Sequence, residues 1–182
     1  MEYRFNDDFL WGAASSGAQS EGTFPGDGKM PTEWDYWFGK EPEQFFDGVG
    51  PSVTSDFYHK YKEYIALMKE VGLNSFRTSF QWSRIFSDCE GTVNETGVRF
   101  YQEVLDELLR QGIEPIICLH HFDMPMYWME KGGFENRETV DGFAKFAAKC
   151  FELFGDKVKR WITFNEPIVI AEGGYIDRKS VV

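Results

Sequence analysis

The chain has 182 residues, 42% of them hydrophobic and 18% aromatic, with a formal net charge of −11. This is a globular composition, long enough for a single domain over residues 1–182 with its own core. The acidic balance, without any run of Lys and Arg, argues against nucleic acid or an anionic membrane as a partner, and no apolar run reaches the roughly 18–20 residues of a membrane span.

The N-terminus, MEYRFNDDFLWG, has neither the basic n-region nor the apolar h-region of a secretory signal. Three cysteines, Cys89, Cys118 and Cys150, form no CxxC pair, so free thiols in a reducing, cytoplasmic compartment are expected.

In chain order, DFLWGAASS (8–16) reads as a short strand closing in small residues. A Gly- and Pro-punctuated stretch from about Gly22 to Ser55 reads as a long functional loop. Phe57, Tyr61, Tyr64, Ile65, Met68 and Val71 then fall on one helical stripe that Gly72 stops. LNSFRTSF (73–80) reads as a strand. Val98, Tyr101, Val104, Leu105, Leu108 and Leu109 share the face of a helix ending at Gly112. IEPIICLHH (113–121) is a nearly continuous apolar strand. A third helix places Val140, Phe143, Ala147, Cys150, Phe151 and Phe154 in register up to Gly155, and RWITFN (160–165) reads as the fourth strand.

Strands spaced by about 40 residues, with a helix between each pair, are the period of βα units. Their apolar continuity predicts a parallel sheet buried on both faces. A doubly wound sheet or part of a (β/α) barrel both satisfy this pattern. No GxGxxG or GKS/GKT turn follows a strand, which weakens a nucleotide-binding sheet. Polar residues gather instead at the C-terminal strand tips, which share one rim in a parallel barrel. Gln19 and Glu21 follow the first tip, Arg77 lies in the second strand, His120, His121 and Asp123 end the third, and Asn165 and Glu166 end the fourth.

Amides offer a donor and an acceptor together, as a sugar hydroxyl requires. A protonated glutamate beside a glycosidic oxygen can act as general acid. On residues alone, Glu166 could equally cap the next helix or pair with an arginine. Arg77 could be a structural counter-ion, because a charge inside an apolar strand needs a partner. Cys118, His120 and Asp123 have no HExxH or CxxC context, so no metal is expected.

The segments FLWGAASSGAQSEG, DFYHKYKEYIALMKEVGLNSFRTSFQWSRIF, LHHFDMP and WITFNEP resemble glycoside hydrolase family 1, the β-glucosidases and 6-phospho-β-glucosidases, in family order from about Phe9 to Tyr175. The resemblance implies an α/β fold of the (β/α)8 TIM-barrel family, of which this chain covers roughly the first four βα units. It implies retaining hydrolysis of β-glycosides without a cofactor, on a β-glucoside or 6-phospho-β-glucoside substrate. Glu166 matches the acid/base, Asn165 its hydroxyl-binding neighbour, Gln19 and His121 the sugar-binding positions, and Arg77 a buried arginine beside the catalytic carboxylates. Glu166 also argues against the thioglucosidase branch, which lacks a glutamate there. Phe122 stands where many plain β-glucosidases carry Trp, which tilts the reading toward phosphorylated sugars.

The nucleophilic glutamate of the family's TENG-like strand has no counterpart in these 182 residues, and the tail 176–182 departs from the family. Half a barrel would leave two open sheet edges, so self-association through them and inactivity of the chain alone are expected.

Overall fold

A computed structural model describes residues 3–176. The expected tail from 176 onward falls outside them apart from Ile176. Four strands, β1 (Gly12–Ala14), β2 (Ser75–Ser79), β3 (Glu114–His120) and β4 (Arg160–Phe164), form one sheet in the order β1-β2-β3-β4. Every neighbouring pair is parallel. Consecutive order without a reversal decides between the two architectures left open by the sequence. A doubly wound sheet must switch direction at some strand, whereas a barrel adds each strand to the same edge.

Short helix α1 (Gly17–Ser20) follows β1, and α2 (Glu33–Lys40) lies within the stretch expected to be an unstructured loop. The correction has a local cause. Thr32 and Asp35 form a capping box, in which each side chain bonds the other's backbone N–H, so that a helix starts in the middle of Gly- and Pro-rich sequence.

Three long helices carry the chain between strands: α3 (Phe57–Glu70) precedes β2, α5 (Glu95–Arg110) precedes β3 and α7 (Arg137–Phe154) precedes β4. Short α4 (Trp82–Ile85) follows β2, α6 (Met126–Glu130) follows β3, and α8 (Pro167–Val169) follows β4. Gly72 and Gly112, just past α3 and α5, have φ of 83° and 72°, the left-handed turn-off that L side chains resist.

The core lies between the sheet and these helices. Ile65, Leu105, Leu108, Ile113, Ile117, Phe146 and Phe154 are fully buried there. Trp82 stacks on Phe146 with centroids 5.6 Å apart and planes 15° apart. Four residues of the expected stripes do not enter it: Val71, Leu109 and Phe151 are exposed, and Val140 is half-buried outside it. Each sits at the edge of its stripe, where the 100° step of the helix turns it out of the interface. Phe146, three residues after Phe143 and four before Cys150, lies on the same helical face and joins the core beside them.

Burial on both faces holds only for the central strands. All three residues of β1 are exposed, and two of the five in β4. Among the described residues no further strand pairs with either of these outer strands.

α4 and α5 approach so closely that a Cβ on Gly97 would lie 2.1 Å from the carbonyl oxygen of Arg84. Alanine is the better helix former by up to about 1 kcal/mol, but this contact is with backbone and cannot swing away. Gly97→Ala is therefore expected to lower stability by about 1–3 kcal/mol, read as a shift in the urea unfolding midpoint.

Candidate active site

Two polar assemblies occupy the C-terminal side of the sheet, and only one is open to a ligand. The closed one centres on Arg84, which is fully buried. Its Nε donates to Glu21 Oε2 at 2.9 Å, Nη1 to Asp27 Oδ2 at 2.9 Å and Nη2 to the Gly22 carbonyl at 2.7 Å. Gln81 Nε2 and the Tyr101 hydroxyl donate to the same Glu21 carboxylate. The guanidinium also lies 4.8 Å from the Tyr58 ring centroid.

Burial pushes the Glu21 carboxyl up, and the Arg84 charge pulls against it. Glu21, grouped by sequence with the strand-tip residues, is thus the partner of a structural ion cluster. The signal that could have revealed the cluster is Arg84 itself, a lone cation inside the apolar run WSRIF.

The open assembly is built from the other tips. Register sets Ala14 beside Arg77 and Arg77 beside Ile116, so the guanidinium of β2 shares a level with its neighbours. Arg77, expected to be buried, is only partly so; it reaches across the sheet and donates from Nη2 to Asn165 Oδ1 at 2.6 Å. The backbone N–H of Asn165 donates to the His120 carbonyl at 2.9 Å, which pins the end of β4 to β3.

Gln19 is exposed on α1, its Oε1 accepting from Ser16 Oγ at 2.8 Å. The Gly17 N–H donates to Ser79 Oγ at 2.8 Å and so ties α1 to the end of β2. Gln19 and His121 line one cavity of about 250 Å³ together with Ser16, Trp34 and Phe122. The structure therefore brings Gln19 and His121 together, and separately joins Arg77 to Asn165.

His121 is buried, and its pKa falls to about 4, through desolvation first and then the Arg77 charge. A neutral imidazole at pH 7 can both donate to and accept from a hydroxyl. His120 is held down at about 4 as well, chiefly by burial. The rings of Phe134 and Phe164 surround it edge-on.

Glu166 directly follows Asn165 and precedes α8. It is exposed, lies outside the lining of the 250 Å³ cavity, and has left-handed backbone with φ 43° and ψ 64°. Its side chain makes no hydrogen bond or ion pair among the described residues, so the helix-cap and arginine-partner readings do not hold there. Among the same residues no cluster of three or more His, Cys, Asp or Glu could hold a metal ion, and no helix is long and apolar enough to cross a membrane. All three cysteines are free.

The family model described as glycosyl hydrolase family 1 matches residues 1–180. The chain belongs to this family. Among curated relatives it is 54% identical over 175 residues to the 6-phospho-beta-glucosidase GmuD of Bacillus subtilis, covering 96% of this chain and 38% of that one. It is 44% identical over 172 residues to a 6-phospho-beta-galactosidase of Clostridium acetobutylicum, covering 94% and 35%.

The solved psychrophilic beta-glucosidase BglU of Micrococcus antarcticus superposes with a TM-score of 0.89 at 41% identity, over 95% of this chain and 36% of that one. An aphid myrosinase does so with a TM-score of 0.88 at 36% identity, over 96% and 38%. The chain thus spans a little over a third of the length of the proteins it matches. Its sheet corresponds to the first βα units of their TIM barrels.

The two assemblies respond differently to mutation. Arg84→Ala leaves two carboxylates buried without a counter-charge and is expected to cost about 3–5 kcal/mol. Glu166→Gln, on an exposed and unbonded side chain, is expected to leave the unfolding midpoint where it was. Parallel urea titrations of the two variants check both outcomes.

Proposed function

We propose that this chain carries the proton-donating and sugar-binding part of a retaining β-glycosidase site that acts on phosphorylated β-glucosides. The observation that carries the reading is the 2.6 Å bond from Arg77 to Asn165 across the strand tips. It orients the amide next to Glu166, while Gln19 and His121 face a common cavity.

Glu166 would protonate the departing glycosidic oxygen, and Asn165, Gln19 and neutral His121 would hold the ring hydroxyls. The left-handed backbone at Glu166, followed at once by Pro167, narrows the directions its carboxyl can take. Retaining chemistry requires a second carboxylate about 5–5.5 Å away as nucleophile. In this reading that group comes from outside the 182 residues. The phosphorylated substrate is supported by identity to proteins named as 6-phospho-glycosidases, the first at 54%. That exceeds the 36% identity to the myrosinase, so an O-glycoside is favoured over a thioglycoside. The reaction needs no cofactor, and three free thiols fit work in the cytoplasm.

Exposed β1 and β4 edges, with the clustered and exposed Phe5, Phe9 and Trp11 beside β1, favour self-association of the isolated chain. Light scattering is expected to give a mass above that of the monomer, and a monodisperse monomer overturns this part of the reading.

The decisive test pairs turnover with binding. The chain alone is expected to leave aryl β-glucosides and their 6-phosphates intact, yet to bind a phosphorylated glucoside in calorimetry. Binding should weaken in Gln19→Ala and His121→Ala. Absence of binding by a folded chain overturns the site. Turnover that disappears in Glu166→Gln overturns the inactivity and exposes a nucleophile within the chain. A second reading, a non-catalytic sugar-binding half-barrel, is favoured by Glu166, which is exposed and makes no bond among the described residues. Joining the missing barrel half decides between the two, since only the first reading gains hydrolysis.

A further inference from the structure

The turn that presents His121 and Phe122 is held by the segment that begins α2. Thr32 and Pro125 form an antiparallel bridge, Met126 N–H donates to the Pro31 carbonyl at 2.9 Å, and Glu33 N–H donates to the Met124 carbonyl at 3.3 Å. The Trp34 indole N–H donates to the Phe122 carbonyl. Two carboxyl groups complete the attachment. Glu33 Oε1 accepts from Met124 N–H at 3.0 Å, and Asp123 Oδ1 accepts from His121 N–H at 3.1 Å.

This much support is required because Phe122 sits at φ 56°, a left-handed conformation costly for an aromatic L residue. Each carboxyl uses one oxygen for the turn. The other, Glu33 Oε2 and Asp123 Oδ2, is buried without a hydrogen-bond partner. Asp123 is 1% exposed. Two acids flank a single turn, and neither forms an ion pair among the described residues; the Lys29 charge acts on both less strongly than burial does.

We propose that Glu33 and Asp123 are positioning residues, a proton-holding latch that fixes the His121–Met124 turn against the start of α2 and loosens when both lose their protons. The surroundings explain why the proton stays. Lys29 is the nearby cation, but its ammonium is engaged by Asp35 at 2.9 Å. The other titratable groups facing the pair are Glu21 after α1, His120 and Cys118 on β3, Tyr101 on α5 and Tyr175 beyond α8, none of them cationic at pH 7. Burial first, and then the Asp123 charge, raises Glu33 to about 8; burial first, and then the Glu21 charge, raises Asp123 to about 7.

The folded chain therefore holds protons that the unfolded chain has already released. Stability is greatest near the ordinary carboxylate pKa values, falls as pH rises toward about 7 to 8, and levels off above. His120 and His121 act in the opposite sense, adding stability as pH rises from about 4 to 6.5. The span from 6.5 to 8 lies above the histidine window, and the amide variants separate the pair from Glu21, whose carboxyl burial also raises.

The proposal rests on the glycosidase reading only for what the turn presents, and its test needs no sugar. Urea midpoints of the 182-residue chain are measured from pH 5 to 9 for the parent, Glu33→Gln, Asp123→Asn and Glu33→Ala. The parent midpoint is expected to fall most steeply between pH 6.5 and 8, above the range in which His120 and His121 oppose the fall. Each amide variant keeps the acceptor oxygen without the charge, so its fall should shrink by about half or more and its midpoint should match or exceed the parent's at pH 9. Glu33→Ala should be weakened at every pH.

Amide variants with the parental slope, or weakened equally at all pH values, overturn the latch. Infrared spectra provide a second check. A protonated-carboxyl band that persists at pH 6.5 in the parent and shrinks in Glu33→Gln and Asp123→Asn supports the proposal, and a fully ionised parent spectrum, or a band unchanged in both variants, overturns it. A latch that passes in a chain that binds no sugar leaves this inference standing and removes the glycosidase reading.

Discussion

The ion cluster around Arg84 is the constraint on which the placement of the whole first rim segment depends. A guanidinium with no solvent access must have its donors met, and here Glu21, Gly22 and Asp27 meet them. These three residues belong to the segment that leaves β1, so satisfying a charge on α4 also fixes where that segment runs. Gln19, two residues before Glu21, is carried to the cavity by the same attachment. Asn94 extends the network by donating to the carbonyls of both Asp27 and Arg84, which locks the start of α5 to it. A cluster of this kind adds little net stability compared with an apolar replacement. It specifies one arrangement, because any other leaves buried charge uncompensated.

From that anchor the rim is assembled by backbone strain held in check. Two of the non-glycine residues with positive φ, Phe122 and Glu166, stand at the tips of adjacent strands. Each such conformation costs about 1–3 kcal/mol and persists only where its surroundings over-determine it. At Phe122 the surroundings are the bridge, the indole bond and the two carboxyl groups of the α2 segment. At Glu166 they are the Asn165 bonds to Arg77 and to the His120 carbonyl on one side and Pro167 on the other. Local propensity yields to tertiary contacts at these positions, which are also where the chemistry would take place. The coincidence has a reason: a side chain aimed into a pocket from a strand end needs an abrupt change of backbone direction.

The same structure is unequal across its width. Between the sheet and α3, α5 and α7 the packing is dense and aromatic, whereas all of β1 and Arg160 and Thr163 of β4 are exposed. A parallel strand with an unpaired edge retains N–H and C=O groups that a further strand can meet. The apolar faces of these strands and the exposed aromatics near β1 match what a barrel covers by closing on itself. Glu166 is exposed, and its lack of partners among the described residues goes with that exposure rather than with its sequence.

The elements themselves were legible in the sequence because the signals are local. Three helical stripes end at glycines, and apolar runs recur every 40 residues or so, with the polar tips lying where a parallel sheet presents them. Membership of the family was equally plain, since four motifs keep their order and chemistry in the linear chain. Single stripe-edge residues such as Val71 and Phe151 were misread because a 100° helical step leaves their side undecided until a partner is present. Helix α2 was hidden inside a loop because a capping box outweighed the composition around it.

Only the tertiary structure separated Glu21 from Gln19, two residues apart, assigning one to a buried ion cluster and the other to an open cavity. Only it coupled Arg77 to Asn165 and Glu33 to the turn at Phe122, contacts 88 and 91 residues apart in sequence. Sequence determines which groups are present and on which element. Which of them lose water together, and therefore which must share a proton or a charge, depends on distances that exist only after the chain has packed.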